Sequence, residues 1–200
     1  MLRIYTGTGD DGTTGLLFGG RVRKDDPAMQ VTGTVDEAQA ALGLARAEAE
    51  PGSELDRLLI DLERELYVLM AEVTTDPRQR SKLVAGRTMV TAGMVEELER
   101  RIDGLIARVE MPAEFVVPGA NRASAALDLA RTVVRRAERL LVARPVDGSL
   151  VGRYLNRLSD LLWAMARWAE GDDHPLARGM PRRGPTAPTR PPGPDTDTPA

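Results

Sequence analysis

With 200 residues, 42% of them hydrophobic, the chain is long enough for one domain with a sizeable core, and with aromatics at 4% that core must be aliphatic. A formal net charge of −3 argues against a dedicated nucleic-acid binder, and the absence of cysteine excludes disulfides, thiolate catalysis and cysteine-ligated metals. No apolar run approaches membrane-spanning length and Met1 is not followed by a signal-peptide core, so a cytoplasmic protein with no membrane partner is expected.

Residues 1–33 lack helical periodicity and read as loop with short extended pieces. Within them Tyr5 to Gly15 reads YTGTGDDGTTG. Small residues let backbone N–H groups wrap an anion, and the hydroxyls of Thr6, Thr8 and Thr14 add donors. Gly7, Gly9 and Gly12 match GxGxxG, but no strand–helix–strand unit with a suitably placed acid follows. Gly7 and Gly12 also have P-loop spacing, yet Thr13 stands where lysine is required, so this is not a Walker A sequence. Lys24, in GGRVRKDDP, is the only lysine nearby. Turns between short strands account for such a run equally well.

Helix signals then recur. Thr34 with Glu37 forms a capping box before Val35, Ala38, Leu42 and Ala45, and Pro51-Gly52 ends that helix. Asp36 is a carboxylate of this capping turn, suited to the helix dipole. Ser53 opens a second helix through Leu55, Leu58, Leu59, Leu62, Leu66, Leu69 and Val73, closed by Asp76-Pro77. Residues 78–88 form a polar connector, and a third helix runs from about Thr91 to Val109. Pro112 and Pro118 bracket an apolar linker containing Phe115, which in isolation is an ordinary core phenylalanine.

The fourth helix, about Asn121 to Ala143, carries ARTVVRRAER, and the fifth, about Ser149 to Ala169, carries YLNRLSD. Arg131, Arg135 and Glu138 fall on one face beside the stripe of Leu127, Ala130, Val134, Ala137 and Leu141. Two arginines with little local acid to neutralise them suit a polyanion such as a triphosphate; a solvated basic face is the alternative. Asn156 and Asp160 share a face, which allows a polar pocket or a helix-to-helix hydrogen bond. Five amphipathic helices with mostly short connectors predict an all-α, up-and-down five-helix bundle over residues 1–171. Eight of the chain's 14 prolines lie between Pro175 and Ala200, so residues 172–200, including the single histidine His174, read as a disordered tail.

YTGTGDDGTTG, GRVRKDDP, GTVDEAQAALG, FVVPG, ARTVVRRAER and YLNRLSD, in that order, resemble the PduO-type family of ATP:cob(I)alamin adenosyltransferases over residues 3–168. The resemblance implies transfer of the 5′-deoxyadenosyl group of ATP to cob(I)alamin, with Mg²⁺ present and the nucleophile supplied by the corrinoid. It makes residues 5–15 the nucleotide-binding segment, with ATP contacts from Thr6, Gly7, Thr8, Gly9, Thr14 and Lys24. Further contacts come from Arg135, Arg136, Glu138, Arg139 and Asn156. Arg136 and Arg139 lie further round the helix, where they suit an interface. Phe115 becomes part of the apolar wall over the corrin ring, and Asp36 pairs with Arg131 across a boundary of a homotrimer with active sites between subunits. Arg135, Arg131 and Asp36 are thus the catalytic candidates, and no residue is assigned as a metal ligand. A reductase supplying cobalt(I) and a cobalamin-dependent acceptor are the partners such chemistry calls for.

Three departures from the pattern stand out: Ala120 follows Pro-Gly, Ala38-Gln39 follows Asp-Glu, and Asp128 stands one turn before Arg131 where many members have histidine. Asp128 there competes with Asp36 or with phosphate. The alternatives are a phosphotransferase giving ADP, a non-catalytic cobalamin-binding escort, and a helical scaffold whose arginines serve only subunit contacts.

Overall fold

The computed structural model describes residues 4–171 and 175–177. Five α-helices make up most of it: α1 (Pro27–Ala47), α2 (Glu54–Val73), α3 (Ala92–Ile106), α4 (Arg122–Val142) and α5 (Val151–Glu170). A 3₁₀ turn, Pro77–Lys82, follows α2. The chain is mostly helical, as expected, and the short extended pieces before residue 33 form a small antiparallel sheet, β1 (Thr13–Gly15) with β2 (Arg21–Arg23), in which Thr14 faces Val22. Alternation in Arg21-Val22-Arg23 and the intervening glycines favour this hairpin over continued loop.

The helix starts follow local capping chemistry. Ser53 accepts from the Asp56 amide at 3.2 Å, Thr91 from Met94 at 3.3 Å, and Asn121 from Ser124 at 2.8 Å. Asn121 and Ser124 complete a reciprocal capping box at the start of α4. Helix α1, however, begins well before Thr34. Asp26 caps it by accepting from the Ala28 amide at 2.8 Å, with Pro27 in the first turn, where a missing N–H costs nothing. Thr34 instead lies inside the helix and donates to the Gln30 carbonyl at 2.8 Å. Residues 27–33 are therefore helical, although Gly33 and small side chains blur their periodicity.

Packing places α1 between α2 and α4, α5 beside α4, and α3 against α5, giving the spatial order α2–α1–α4–α5–α3. An up-and-down bundle would set α3 between α2 and α4. The long connections 74–91 and 107–121 let α3 pack against α5 instead, while Arg101 and Arg108 pair with Asp61 and Glu54 of α2. The core is aliphatic: Val31, Val35, Leu42, Leu59, Leu62, Leu66, Leu98, Leu127, Val134, Leu155, Leu158 and Leu162 are all fully buried. Each of the larger ones contributes about 1.5–3 kcal/mol on leaving water. No helix among the described residues is long and apolar enough to cross a membrane.

One end of the molecule gathers the N-terminal hairpin, the end of α2 and the α4–α5 turn. Leu17 donates to the Thr74 carbonyl at 3.0 Å and bridges to Thr75. Glu72, buried, accepts from Arg80 at 2.9 Å, from the Val90 amide at 2.7 Å and from the Ser149 hydroxyl at 2.7 Å. The loop before α4 lies at the opposite end, where Asn121 donates to the Ala169 carbonyl at 2.7 Å. There the Val117 amide donates to Pro175 and the Ala177 amide to Phe115, at 2.8 and 2.7 Å. Residues 175–177, assigned to the tail on composition, thus pair with the FVVPG loop. His174 and residues 178–200 lie outside the described residues.

Candidate functional site

The Thr/Gly segment forms a tight, braced loop before β1. Gly7 and Gly12 adopt φ of +70° and +79°, conformations in which a side chain is strained. Asp11 accepts from both the amide and the hydroxyl of Thr13, at 2.9 and 2.8 Å. Those two bonds, with Arg21 nearby, hold its carboxyl below the usual aspartate range. Arg21, not singled out in the sequence, donates through Nε to the Thr13 hydroxyl at 2.8 Å and through Nη2 to the Thr8 carbonyl. Thr6 and Thr8 share a hydrogen bond at 2.8 Å, and both are exposed.

Lys24 folds back over this loop. Its amide donates to the Gly12 carbonyl at 2.9 Å. A Cβ built on Gly9 would meet the Lys24 ammonium at 3.2 Å, so glycine there lets the cation approach the backbone. Among the described residues the ammonium has no hydrogen-bond or ion-pair partner. The loop therefore presents a free cation, threonine hydroxyls and small-residue backbone together, which suits a phosphate chain.

The α4 candidates divide into paired and unpaired groups. Arg135 and Arg139 are exposed and have no partner among the described residues, and the same holds for Asp36 on α1. Arg136 is tied to Glu37 of α1 by a salt bridge. Glu138 accepts from Asn156 at 2.9 Å, so the α4 and α5 motifs do meet, and Arg157 donates to the side-chain Oδ1 of Asn156 at 2.7 Å. A hollow of about 280 Å³ opens beside Glu138, lined by Leu141, Val142, Pro145, Ser149 and Gly152. A larger one, about 590 Å³, lies at the other end among Glu48, Ser53, Arg122 and Trp168, away from these cations.

Arg131 meets the carboxylate that the departure at position 128 sets one turn before it, so it has more local acid than the motif alone implied. Its Nε donates to Asp128 at 3.2 Å. Asp128 is itself buried and accepts from Arg167 at 2.6 Å. Arg167, 2% exposed, makes two further bonds to Glu170 at 2.7 and 2.8 Å. Burial alone would lower the Arg167 pKa, but the bonds to Glu170 and Asp128 outweigh it and raise the value above that of an ordinary arginine. Sequence reasoning singled out Asp128 but passed over Arg167 and Glu170. Their one local signal is Arg167 set at i,i+3 from Glu170 inside the apolar run LLWAMARW.

Phe115 is 85% exposed and lines a cavity of about 330 Å³ with Ala113, Glu114, Trp163 and Ala177. It is therefore not a core residue of this chain. It also stands at the end of α4 opposite to the Thr/Gly loop. Twenty-one helical residues at 1.5 Å each separate the two ends by roughly 30 Å.

A family model described as cobalamin adenosyltransferase matches residues 4–169. The chain is 42% identical over 173 residues to a corrinoid adenosyltransferase of Citrobacter freundii, covering 85% of this chain and 96% of that protein. It is 39% identical over 177 residues to corrinoid adenosyltransferase PduO of Salmonella typhimurium, covering 86% of this chain and 51% of that longer protein. Its fold matches a variant of the PduO-type ATP:corrinoid adenosyltransferase from Lactobacillus reuteri complexed with cobalamin and ATP. That match has a TM-score of 0.77 at 28% identity and covers 88% of this chain and 97% of the other.

Proposed function

The chain belongs to the cobalamin adenosyltransferase family, and from that premise we propose that it transfers the 5′-deoxyadenosyl group of ATP to cob(I)alamin. Cobalt(I) supplies an electron pair to the 5′ carbon, a cobalt–carbon bond forms, and the carbon–oxygen bond to the triphosphate breaks. The products are adenosylcobalamin and inorganic triphosphate. No protein nucleophile is required, which suits a chain without cysteine. The protein must orient ATP and stabilise charge developing on the leaving triphosphate.

The observation that carries this reading is the gathering of unneutralised cations at the hairpin end. Lys24 hangs over the Thr/Gly loop, and Arg139, with Arg135 a turn before it, occupies the closing turns of α4. In this reading the five helices form one bundle, and Thr6, Gly7, Thr8, Gly9, Thr14 and Lys24 cradle the phosphates. Arg135 takes the leaving charge, Arg139 supports it, and Glu138 with Asn156 orients the ribose. The salt bridge to Glu37 supports an α1–α4 contact for Arg136 as the alternative to its nucleotide contact.

No group of three potential metal ligands occurs among the described residues. A magnesium ion accompanying ATP would act beside Lys24 and Arg135, since a hard, strongly hydrated ion takes phosphate oxygens readily. It supplies Lewis-acid neutralisation of the triphosphate. Because Phe115 and the Thr/Gly loop lie at opposite ends of one chain, a site using both needs a second subunit. That supports a homotrimer with sites between subunits, where Asp36 of one copy reaches Arg131 of the next.

Anaerobic incubation with magnesium-ATP and chemically reduced cob(I)alamin tests the proposal. Adenosylcobalamin with triphosphate is the expected outcome. ADP formation would indicate phosphoryl transfer instead, and corrinoid binding without turnover would indicate an escort.

A further inference from the structure

Arg131 is held by a carboxylate that is itself locked in place from behind. Asp128 Oδ1 accepts from Arg131 Nε at 3.2 Å, and Asp128 Oδ2 accepts from Arg167 Nη2 at 2.6 Å. Arg167 is gripped in turn by both oxygens of Glu170, and its guanidinium lies 5.8 Å from the centroid of the Trp163 ring. The side chains of Asp128, Arg167 and Glu170 are 5%, 2% and 0% exposed. The order is therefore cation, anion, cation, anion, running from the half-buried Arg131 into the α4–α5 interface.

An ordinary i,i+3 pair on a helix surface gains little, because two mobile side chains must be ordered to make it. Here the acceptor has no freedom left to lose. Asp128 cannot turn away without leaving Arg167 buried and half-paired, which is far costlier than breaking a surface bridge. Only Nε of Arg131 is used, and its two terminal nitrogens have no partner among the described residues. A guanidinium fixed at Nε with both terminal nitrogens available is preorganised to donate to an anion. Trp163 adds a second consequence, since it walls the cavity shared with Phe115.

We propose that Asp128, anchored by Arg167 and Glu170, is a positioning residue that fixes the Arg131 guanidinium for the adenosyl-transfer site. The inference rests on the function proposed above. It makes the departure at position 128 an in-chain support for Arg131 rather than a competitor for it.

A double-mutant cycle on turnover, using the full chain with magnesium-ATP and cob(I)alamin, separates positioning from simple stabilisation. Asp128→Asn keeps the shape and one acceptor while removing the charge that holds Arg131. Loss of one charge-assisted hydrogen bond in the wild-type background should lower kcat/KM roughly tenfold. In an Arg131→Met background the same substitution should change kcat/KM by less than about twofold, because there is nothing left to position. Equal losses in both backgrounds, or no loss in the first, would overturn the proposal.

If Asp128→Asn fails to fold, the wild-type chain still decides. The Arg131 Nε–H should give a guanidinium NMR signal protected from solvent exchange, assigned by its disappearance in Arg131→Lys. A rapidly exchanging signal would overturn the proposal. A wild-type chain that folds but shows no turnover would refute the function itself, while the NMR measurement would still report on the Asp128 contact.

Discussion

Arg135→Ala gives the sharpest separation between a functional and a structural arginine. The side chain is exposed and has no hydrogen-bond or ion-pair partner among the described residues. Its truncation should therefore change folding stability by no more than about 0.5 kcal/mol. Its contribution to catalysis is a different matter. A unit charge about 4 Å from a developing negative charge is worth roughly 4 kcal/mol at an effective dielectric of about 20. That agrees with the roughly 10²–10³-fold loss seen when one preorganised donor to a transition-state anion is removed. The expected phenotype is a turnover rate lowered about a hundredfold or more, with unchanged circular dichroism and a nearly unchanged melting temperature.

The assay is anaerobic single-turnover formation of adenosylcobalamin, with triphosphate measured alongside. Arg135→Lys should recover part of the rate, since it keeps the charge but loses the planar fork. Wild-type turnover in Arg135→Ala would remove Arg135 from the leaving-group role. Loss of cooperative unfolding would show that the residue serves the fold, against its exposed and unpaired setting.

Lys24→Ala should raise the KM for ATP several-fold with a melting shift no larger than that of Arg135→Ala, and an unchanged KM would remove Lys24 from the nucleotide cradle. Asn121→Ala deletes half of the α4 capping box and the bond to Ala169, and should cost about 1–2 kcal/mol in urea unfolding; a loss below a few tenths would show that the box contributes little. Glu65 accepts from the Tyr154 hydroxyl at 2.7 Å, and burial, only partly offset by that bond and by Arg101, raises its pKa above the ordinary 4.5. A raised folded-state pKa means that the group's stabilisation is full below 4.5 and is lost as pH climbs through the folded value. Glu65→Gln keeps an acceptor for Tyr154 and removes the titration, so its stability should stay flat across that interval where the wild type declines. Parallel pH profiles would refute this.

Local chemistry was the legible part of the chain. Ser53, Thr91 and Asn121 cap helices because their side chains reach amides two or three residues on, and such bonds are visible in sequence order. The leucine stripe of α2 was legible for the same reason. The start of α1 was not, because Asp26-Pro27 is followed by small residues whose burial against α4 leaves only a faint periodic trace. Long-range pairings were also invisible. Asp128 and Arg167 lie 39 positions apart, and residues 175–177 meet the FVVPG loop only because α5 returns to that end of the molecule. Composition places such a segment in a tail; backbone hydrogen bonding with Phe115 and Val117 puts it on the fold.

The pattern of neutralisation, more than the count of arginines, identifies which cations are available to a substrate. Arg80, Arg101, Arg136 and Arg167 each have a carboxylate within the chain, and their charges are largely committed to joining one element to another. Lys24, Arg135 and Arg139 have none among the described residues. Leaving a surface cation unpaired costs the fold almost nothing, since an exposed pair would stabilise it by only about 0–1 kcal/mol. In a site from which water is excluded, the same charge acts on a triphosphate at several times that strength. Arg131 belongs to neither group: one edge is spent on Asp128 and the other remains free. That intermediate state is what a residue needs if it must hold a fixed direction and still engage a charge from outside its own chain.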